Sequence, residues 1–128
     1  MPFTAEQIDA INEIEKNLLI IACAGSGKTE VISRRIVHIL QQKRATPKEI
    51  VAFTFTEKAA AELKNRVNKI AAEAKLDMTG FAEMFIGTIH AWCLRILQDY
   101  LYSFQKYSVL DEIKLRLFLQ RTRKSNGI

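Results

Sequence analysis

Cysteine, proline and glycine are all sparse: the 128 residues hold two, two and five of them. Two cysteines cannot build a disulfide framework. Cys23 and Cys93 both lie among apolar neighbours, so each is expected as a buried, reduced thiol. No apolar run approaches the ~18 residues of a membrane-spanning helix, and the opening MPFTAEQ lacks the basic-then-apolar order of a secretory signal. Internal repeats and low-complexity tracts are absent. A cytoplasmic location with no membrane partner is the expectation.

What is present is ordinary in amount and uneven in placement. Apolar residues make up 48% and charged residues 26% of the chain, enough for a core in one domain of common size. The net charge of +5 is not spread evenly. The first seventeen residues lean acidic, with Glu6, Asp9, Glu13 and Glu15 against Lys16. Arg34 to Lys75 carries ten Lys/Arg against four Glu, and the tail after Glu112 has Lys114, Arg116, Arg121, Arg123 and Lys124 with no acid. A polyanionic partner such as nucleic acid fits this asymmetry, and so does a basic helix surface kept soluble.

Helix and strand signals alternate. TAEQIDAINEI opens with Thr4 as a helix N-cap, and Gln7 three residues on closes a capping box. NLLIIA is a short continuous apolar run, the pattern of a parallel strand buried on both faces. A helix is predicted from about Lys28, with Ile32, Ile36, Ile39 and Leu40 on one stripe. Pro47 pushes Thr46 out of helical geometry, IVAFTF reads as a second strand, and EKAAAELKNRVNKIAAEAK as a helix burying Ala60, Leu63, Val67, Ile70 and Ala71. MFIGT is a shorter third strand. The helix after it turns Ile89, Trp92, Cys93, Ile96, Leu97 and Tyr100 to one side. SFQKYS is loop, and a last helix begins near Asp111 and runs into RTRKSNGI. Three strand–helix pairs in series predict an α/β domain with a mainly parallel sheet, its strand C-termini and following loops along one edge.

Between the first strand and its helix stands a phosphate loop. Ala22 takes the position usually held by its first glycine, followed by Cys23, Ala24, Gly25, Ser26, Gly27, Lys28 and Thr29. The departure at Ala22 is mild, because a strand end needs no positive φ. Gly25 and Gly27 sit where the backbone curls so that successive N–H groups point inward. Lys28 is placed to meet β- and γ-phosphate oxygens and the Thr29 hydroxyl to ligate Mg²⁺, with the helix N-terminus adding its dipole.

FTAEQ, ACAGSGKT, FTFTEKAAAELKNRV and IGTIHAWCLRIL together resemble the UvrD/Rep-type superfamily 1 DNA helicases. They stand in the order of that family's Q motif and motifs I, Ia and Ib, and YSVLDE is similar to the segment that follows. The resemblance implies a P-loop NTPase fold of RecA-like three-layer α/β/α type. Residues 1–110 would form the N-terminal part of the first RecA-like domain and residues 111–128 a helix leading into an inserted subdomain. ATP and Mg²⁺ are the implied cofactors, and single-stranded or junction DNA the implied partner. Gln7 then matches the glutamine that reads the adenine edge. Phe55 matches a base-stacking ring beside the Thr54 and Thr56 hydroxyls, whereas Phe53 reads as strand core. Lys58 is a candidate phosphate contact; Arg66 reads as solvated helix face. Thr88 and His90 match backbone contacts, and Trp92 reads as core. Ile89 replaces a phenylalanine of many members, closer to the RecB/AddA-like branch, and Glu30 stands where many relatives carry arginine.

Hydrolysis also needs carboxylates for Mg²⁺ and water, and a cation against the transferring phosphoryl group. The only Asp-Glu pair, Asp111-Glu112, follows too short an apolar run to end a buried strand. The chain therefore reads as the N-terminal piece of a longer 3′→5′ helicase of replication, repair or recombination. A second RecA-like domain would complete its ATP site, and alone it should neither hydrolyse ATP usefully nor unwind DNA. Two other readings stay open: a nucleic-acid-binding module with a relic phosphate loop, and a small P-loop kinase.

Overall fold

A computed structural model of the chain describes residues 3–125; residues 1–2 and 126–128, including the last of the polar tail, lie outside it. Two compact units divide the chain, Met1–Cys93 and Leu94–Ile128.

In the first unit, helix α1 (Ala5–Asn12) begins with the expected capping box: the Gln7 N–H donates to Thr4 Oγ1 at 3.3 Å, and the Thr4 N–H donates to Gln7 Oε1 at 2.9 Å. Helix α2 (Lys28–Gln41) packs against it. Arg35 ties the two by donating to the Ala10 carbonyl at 2.8 Å and to the Glu13 carbonyl. Thr46 is extended, as Pro47 requires, and a short 3₁₀ turn, Pro47–Glu49, leads into strand β1 (Val51–Thr54). Helix α3 (Glu57–Glu73) crosses to strand β2 (Phe85–Thr88). The two strands pair in parallel, Val51 opposite Phe85 and Thr54 opposite Thr88.

The core lies between α2, α3 and the strands. It gathers Ile36, Val37, Ile50, Leu63, Val67, Ile70, Ala71, Phe81 and Met84. All five residues expected to face inward from α3 are buried, with Val67 and Ala71 fully enclosed. On α2 the stripe is rotated from expectation. Val31, Ser33, Ile36 and Val37 are buried while Ile32 is exposed. Ser33 tolerates complete burial because its hydroxyl donates to the Thr29 carbonyl one turn back at 2.7 Å.

Three expectations fail here. NLLIIA is not a strand: no ladder includes it, and Leu19 and Ile21 are 83% and 90% exposed. A run apolar on both faces becomes a strand only between neighbours, and among the described residues the two strands pair with each other alone. Cys23 and Cys93 are exposed rather than buried, because the apolar neighbours that suggested burial, Ile21 and Ile89 among them, are themselves exposed. Phe53 and Trp92, both expected in the core, are exposed (48%) and only part-buried respectively. Their rings meet edge to face at 6.3 Å, and Trp92 lies 4.7 Å from Phe85.

Helix α4 (Ile89–Tyr100) buries no residue completely. In the second unit a 3₁₀ turn at Tyr102–Phe104 precedes helix α5 (Glu112–Ser125). Gln98 anchors that turn region through the Tyr107 carbonyl at 2.8 Å. Along α5, Ile113, Leu117 and Phe118 are exposed.

Candidate nucleotide and nucleic-acid site

The phosphate-loop residues form a tight bend directly ahead of α2. Gly25 and Gly27 adopt φ of +77° and +80°, the left-handed region that side chains with a Cβ avoid. Gly27 is the N-cap of α2, so the free N–H groups of the first helical turn open from the bend. Ala22, Cys23 and Ala24 are exposed along the approach, and the Ser26 N–H closes the turn on the Cys23 carbonyl at 3.3 Å. Ser26 Oγ is buried with no hydrogen-bond partner among the described residues. An orphaned hydroxyl inside a curl of amide donors marks a place shaped for a polar guest, since burial without a partner costs about 1–3 kcal/mol.

Lys28 folds back across this bend. Its ammonium donates to the Ala22 carbonyl at 3.0 Å and to the Cys23 carbonyl at 2.5 Å. Thr29 is exposed on the first turn of α2. Among the described residues no group of three His, Cys, Asp or Glu side chains is arranged to hold a metal. The Thr29 hydroxyl is an oxygen donor of the kind that a hard divalent ion takes.

Gln7 does more than cap α1. Its Nε2 donates to the Ser26 carbonyl at 2.9 Å, fixing the helix against the loop. Gln7, Ser26, Lys28 and the apolar Ile20, Ile21 and Val31 line a cleft of about 410 Å³. With Oε1 on Thr4 and one Nε2 hydrogen on Ser26, the amide keeps a lone pair and a hydrogen.

The second group of candidates collects where β1 and β2 end. The register places Thr54 opposite Thr88, so the loops that launch α3 and α4 lie side by side. Phe55 is 100% exposed. A phenyl ring standing free of all packing just past a strand end has no part in the core. Thr54 Oγ1 donates to the Thr56 carbonyl at 3.0 Å, and Thr56 Oγ1 caps α3 by accepting the Ala59 N–H at 3.1 Å. Lys58 and His90 are exposed, and neither has an ion-pair partner among the described residues. Thr88 Oγ1 caps α4 by accepting the Ala91 N–H at 3.2 Å and donates to Glu57 Oε1 at 3.0 Å.

Two partners here escaped the sequence reading. Nothing local in the sequence distinguishes Glu57, which accepts the Thr88 hydroxyl. Arg66 is more than solvated surface: it bonds Glu30 Oε2 at 3.1 Å and Glu62 Oε1 at 3.2 Å. Glu30, one residue past Thr29, also accepts from Arg34 at 2.7 Å. Partial burial pushes the Glu30 carboxyl up, but the Arg34 and Arg66 guanidiniums outweigh it and hold it below its ordinary value. The phosphate-loop helix is thus clamped to the helix that follows Phe55.

Asp111-Glu112 is a helix start. The Lys114 N–H donates to Asp111 Oδ1 at 2.8 Å, which is the first reason that carboxyl titrates below its usual range. An exposed cap of this kind is not the end of a buried strand, in keeping with its rejection as a catalytic pair.

The chain is 35% identical over 127 residues to the ATP-dependent DNA helicase PcrA of Staphylococcus epidermidis, with 97% of the chain and 17% of the relative covered. It is 33% identical over 126 residues to a probable DNA helicase II homolog of Mycoplasma capricolum, covering 96% and 17%. It thus spans about a sixth of the length of these relatives. The family model for the UvrD/REP helicase N-terminal domain matches residues 3–127, and the chain belongs to that family.

Proposed function

We propose that the chain is the ATP-binding start of an ATP-dependent DNA helicase, carrying the phosphate grip and part of the single-strand contact of its first RecA-like domain. The observation that carries this is the pairing, within one unit, of an orphaned Ser26 hydroxyl in a glycine bend with a wholly exposed Phe55 at the strand ends. The first suits a phosphate chain, and the second offers a ring to a base. Base–aromatic stacking of this kind contributes roughly 1–3 kcal/mol per base and tolerates any sequence.

In this reading Gly25, Ser26 and Gly27 present amide hydrogens to the β-phosphate, and Lys28 leaves the loop carbonyls for the β- and γ-oxygens. Thr29 ligates Mg²⁺, which supplies charge neutralisation when bound. The remaining hydrogen and lone pair of Gln7 meet the adenine edge. Thr54, Thr56, Lys58, Thr88 and His90 border a strand whose bases stack on Phe55. The hydrolytic carboxylates and the phosphoryl-facing cations come from the remainder of the longer protein, whose relatives are about six times this length. Polarity of 3′→5′ follows the family resemblance. Alone, the chain binds nucleotide without turning it over.

Fluorescent ATP-analogue binding by the wild type and by Lys28→Ala tests the nucleotide half. Unchanged binding in the mutant would favour a relic loop. For the other half, Phe55→Ala should weaken binding of a labelled thymidine oligonucleotide about tenfold, with affinity falling as salt rises. An unaffected oligonucleotide affinity would remove Phe55 from the interface.

A further inference from the structure

Thr88 has no donor to spare. Its hydroxyl hydrogen goes to Glu57 Oε1 at 3.0 Å, while its oxygen takes the Ala91 N–H. Glu57 opens α3 and Ile89 opens α4, so this carboxylate lies by the N-termini of two helices that leave neighbouring strand ends. Partial positive charge collects at both termini. No cation among the described residues pairs with Glu57. Chemically the arrangement is a hydroxyl donor and two helix starts around one anionic oxygen. A nucleic-acid phosphate presents the same kind of oxygen.

We infer that Glu57 is an internal stand-in for a backbone phosphate, holding the Thr88 hydroxyl in the empty state and competing with DNA for it. The inference rests on the reading of this edge as a single-strand contact and adds its regulation. A strand arriving across Phe55 must displace the Glu57 carboxylate to reach Thr88. Glu57 then sets a threshold: it weakens binding of any lone phosphate, and it yields when stacking on Phe55 supplies further attraction. With no strand present it also completes the cap of α4 and keeps the edge ordered.

The test measures binding of a fluorescein-labelled thymidine oligonucleotide to the whole chain by anisotropy at low salt. Glu57→Gln removes the charge and should raise affinity roughly fivefold to tenfold, the net scale of one exposed hydrogen bond. Glu73→Gln, at the far end of the same helix, gives the general effect of losing one negative charge and should stay within about twofold. Glu57→Asp keeps the charge but falls short of Thr88, and should also gain affinity. In a Thr88→Val background the advantage of Glu57→Gln should shrink to that of Glu73→Gln, whereas Thr88→Ser should preserve it. Unchanged or weaker binding by both Glu57 variants, with Phe55→Ala still weakening it, overturns the inference and leaves the edge standing. If Phe55→Ala and Lys58→Ala also change nothing, the edge is not a DNA contact and both readings fall together.

Discussion

Replacing Glu30 with glutamine removes the charge at the centre of the clamp between α2 and α3 while keeping its shape. Glu30 receives two charged hydrogen bonds, 2.7 Å from Arg34 and 3.1 Å from Arg66. The glutamate side chain is 28% exposed, but the two arginines are 38% and 36% exposed, so solvent screens both pairs. Screened pairs contribute about 0.2–1 kcal/mol each, and the loss should be about 1 kcal/mol in all. For a chain of this size that moves a urea midpoint down by roughly 0.5–1 M. The effect carries a pH signature. The folded-state pKa of Glu30 lies below its ordinary 4.5, so its contribution is complete above about pH 5 and disappears as pH falls through the folded value. Urea titrations followed by helical circular dichroism at about pH 7 and about pH 3 should show the gap between wild type and E30Q narrowing in acid. A gap of equal size at both would mean that glutamine disturbs packing rather than charge. No gap at neutral pH would mean that the clamp contributes nothing.

Other expectations follow from single positions. Val67 has no exposed surface, so Val67→Ala should cost about 2 kcal/mol in the same titration; a loss under about 0.5 kcal/mol would mean that the core collapses around the gap. Gly27→Ala forces a Cβ into φ of +80°, only 3.4 Å from Gln7 Nε2. It should destabilise by about 1–2 kcal/mol and abolish binding of a fluorescent ATP analogue, and normal binding would show that the bend is not read by phosphate. A thiol reagent should label Cys23 and Cys93 in the folded chain at similar rates, since both are exposed. Added ATP should then protect Cys23 alone; equal protection of both, or none, would place the nucleotide elsewhere.

How far the fold could be read from residues alone depended on where each signal originates. The stripe on α3 was legible because Ala60, Leu63, Val67, Ile70 and Ala71 repeat at helical spacing and share one buried face. The glycine bend was legible because positive φ restricts the residue type itself. Leu18 to Ile21 reads as strand because apolarity reports a burial environment, yet it cannot report whether the partners that create that environment are at hand. Exposure of Cys23 followed from the same gap. The contacts that couple the site were invisible for another reason. Gln7 with Ser26, Glu30 with Arg66 and Glu57 with Thr88 join residues 19, 36 and 31 apart, and a polar side chain carries no local mark of its distant partner.

The posture of Lys28 bears on how tightly the loop can hold anything. If Lys28 must leave the Ala22 and Cys23 carbonyls before a phosphate can enter, the binding-competent loop is only a fraction of the population, and observed affinity is the intrinsic affinity scaled by that fraction. If the lysine rests there in about nine molecules of ten, the measured dissociation constant is about tenfold weaker than that of the open loop. The same resting contacts offset the carbonyl dipoles in the absence of a guest. Weak binding by the chain would then measure that pre-equilibrium, and an analogue lacking the γ-phosphate would gain least from displacing the lysine.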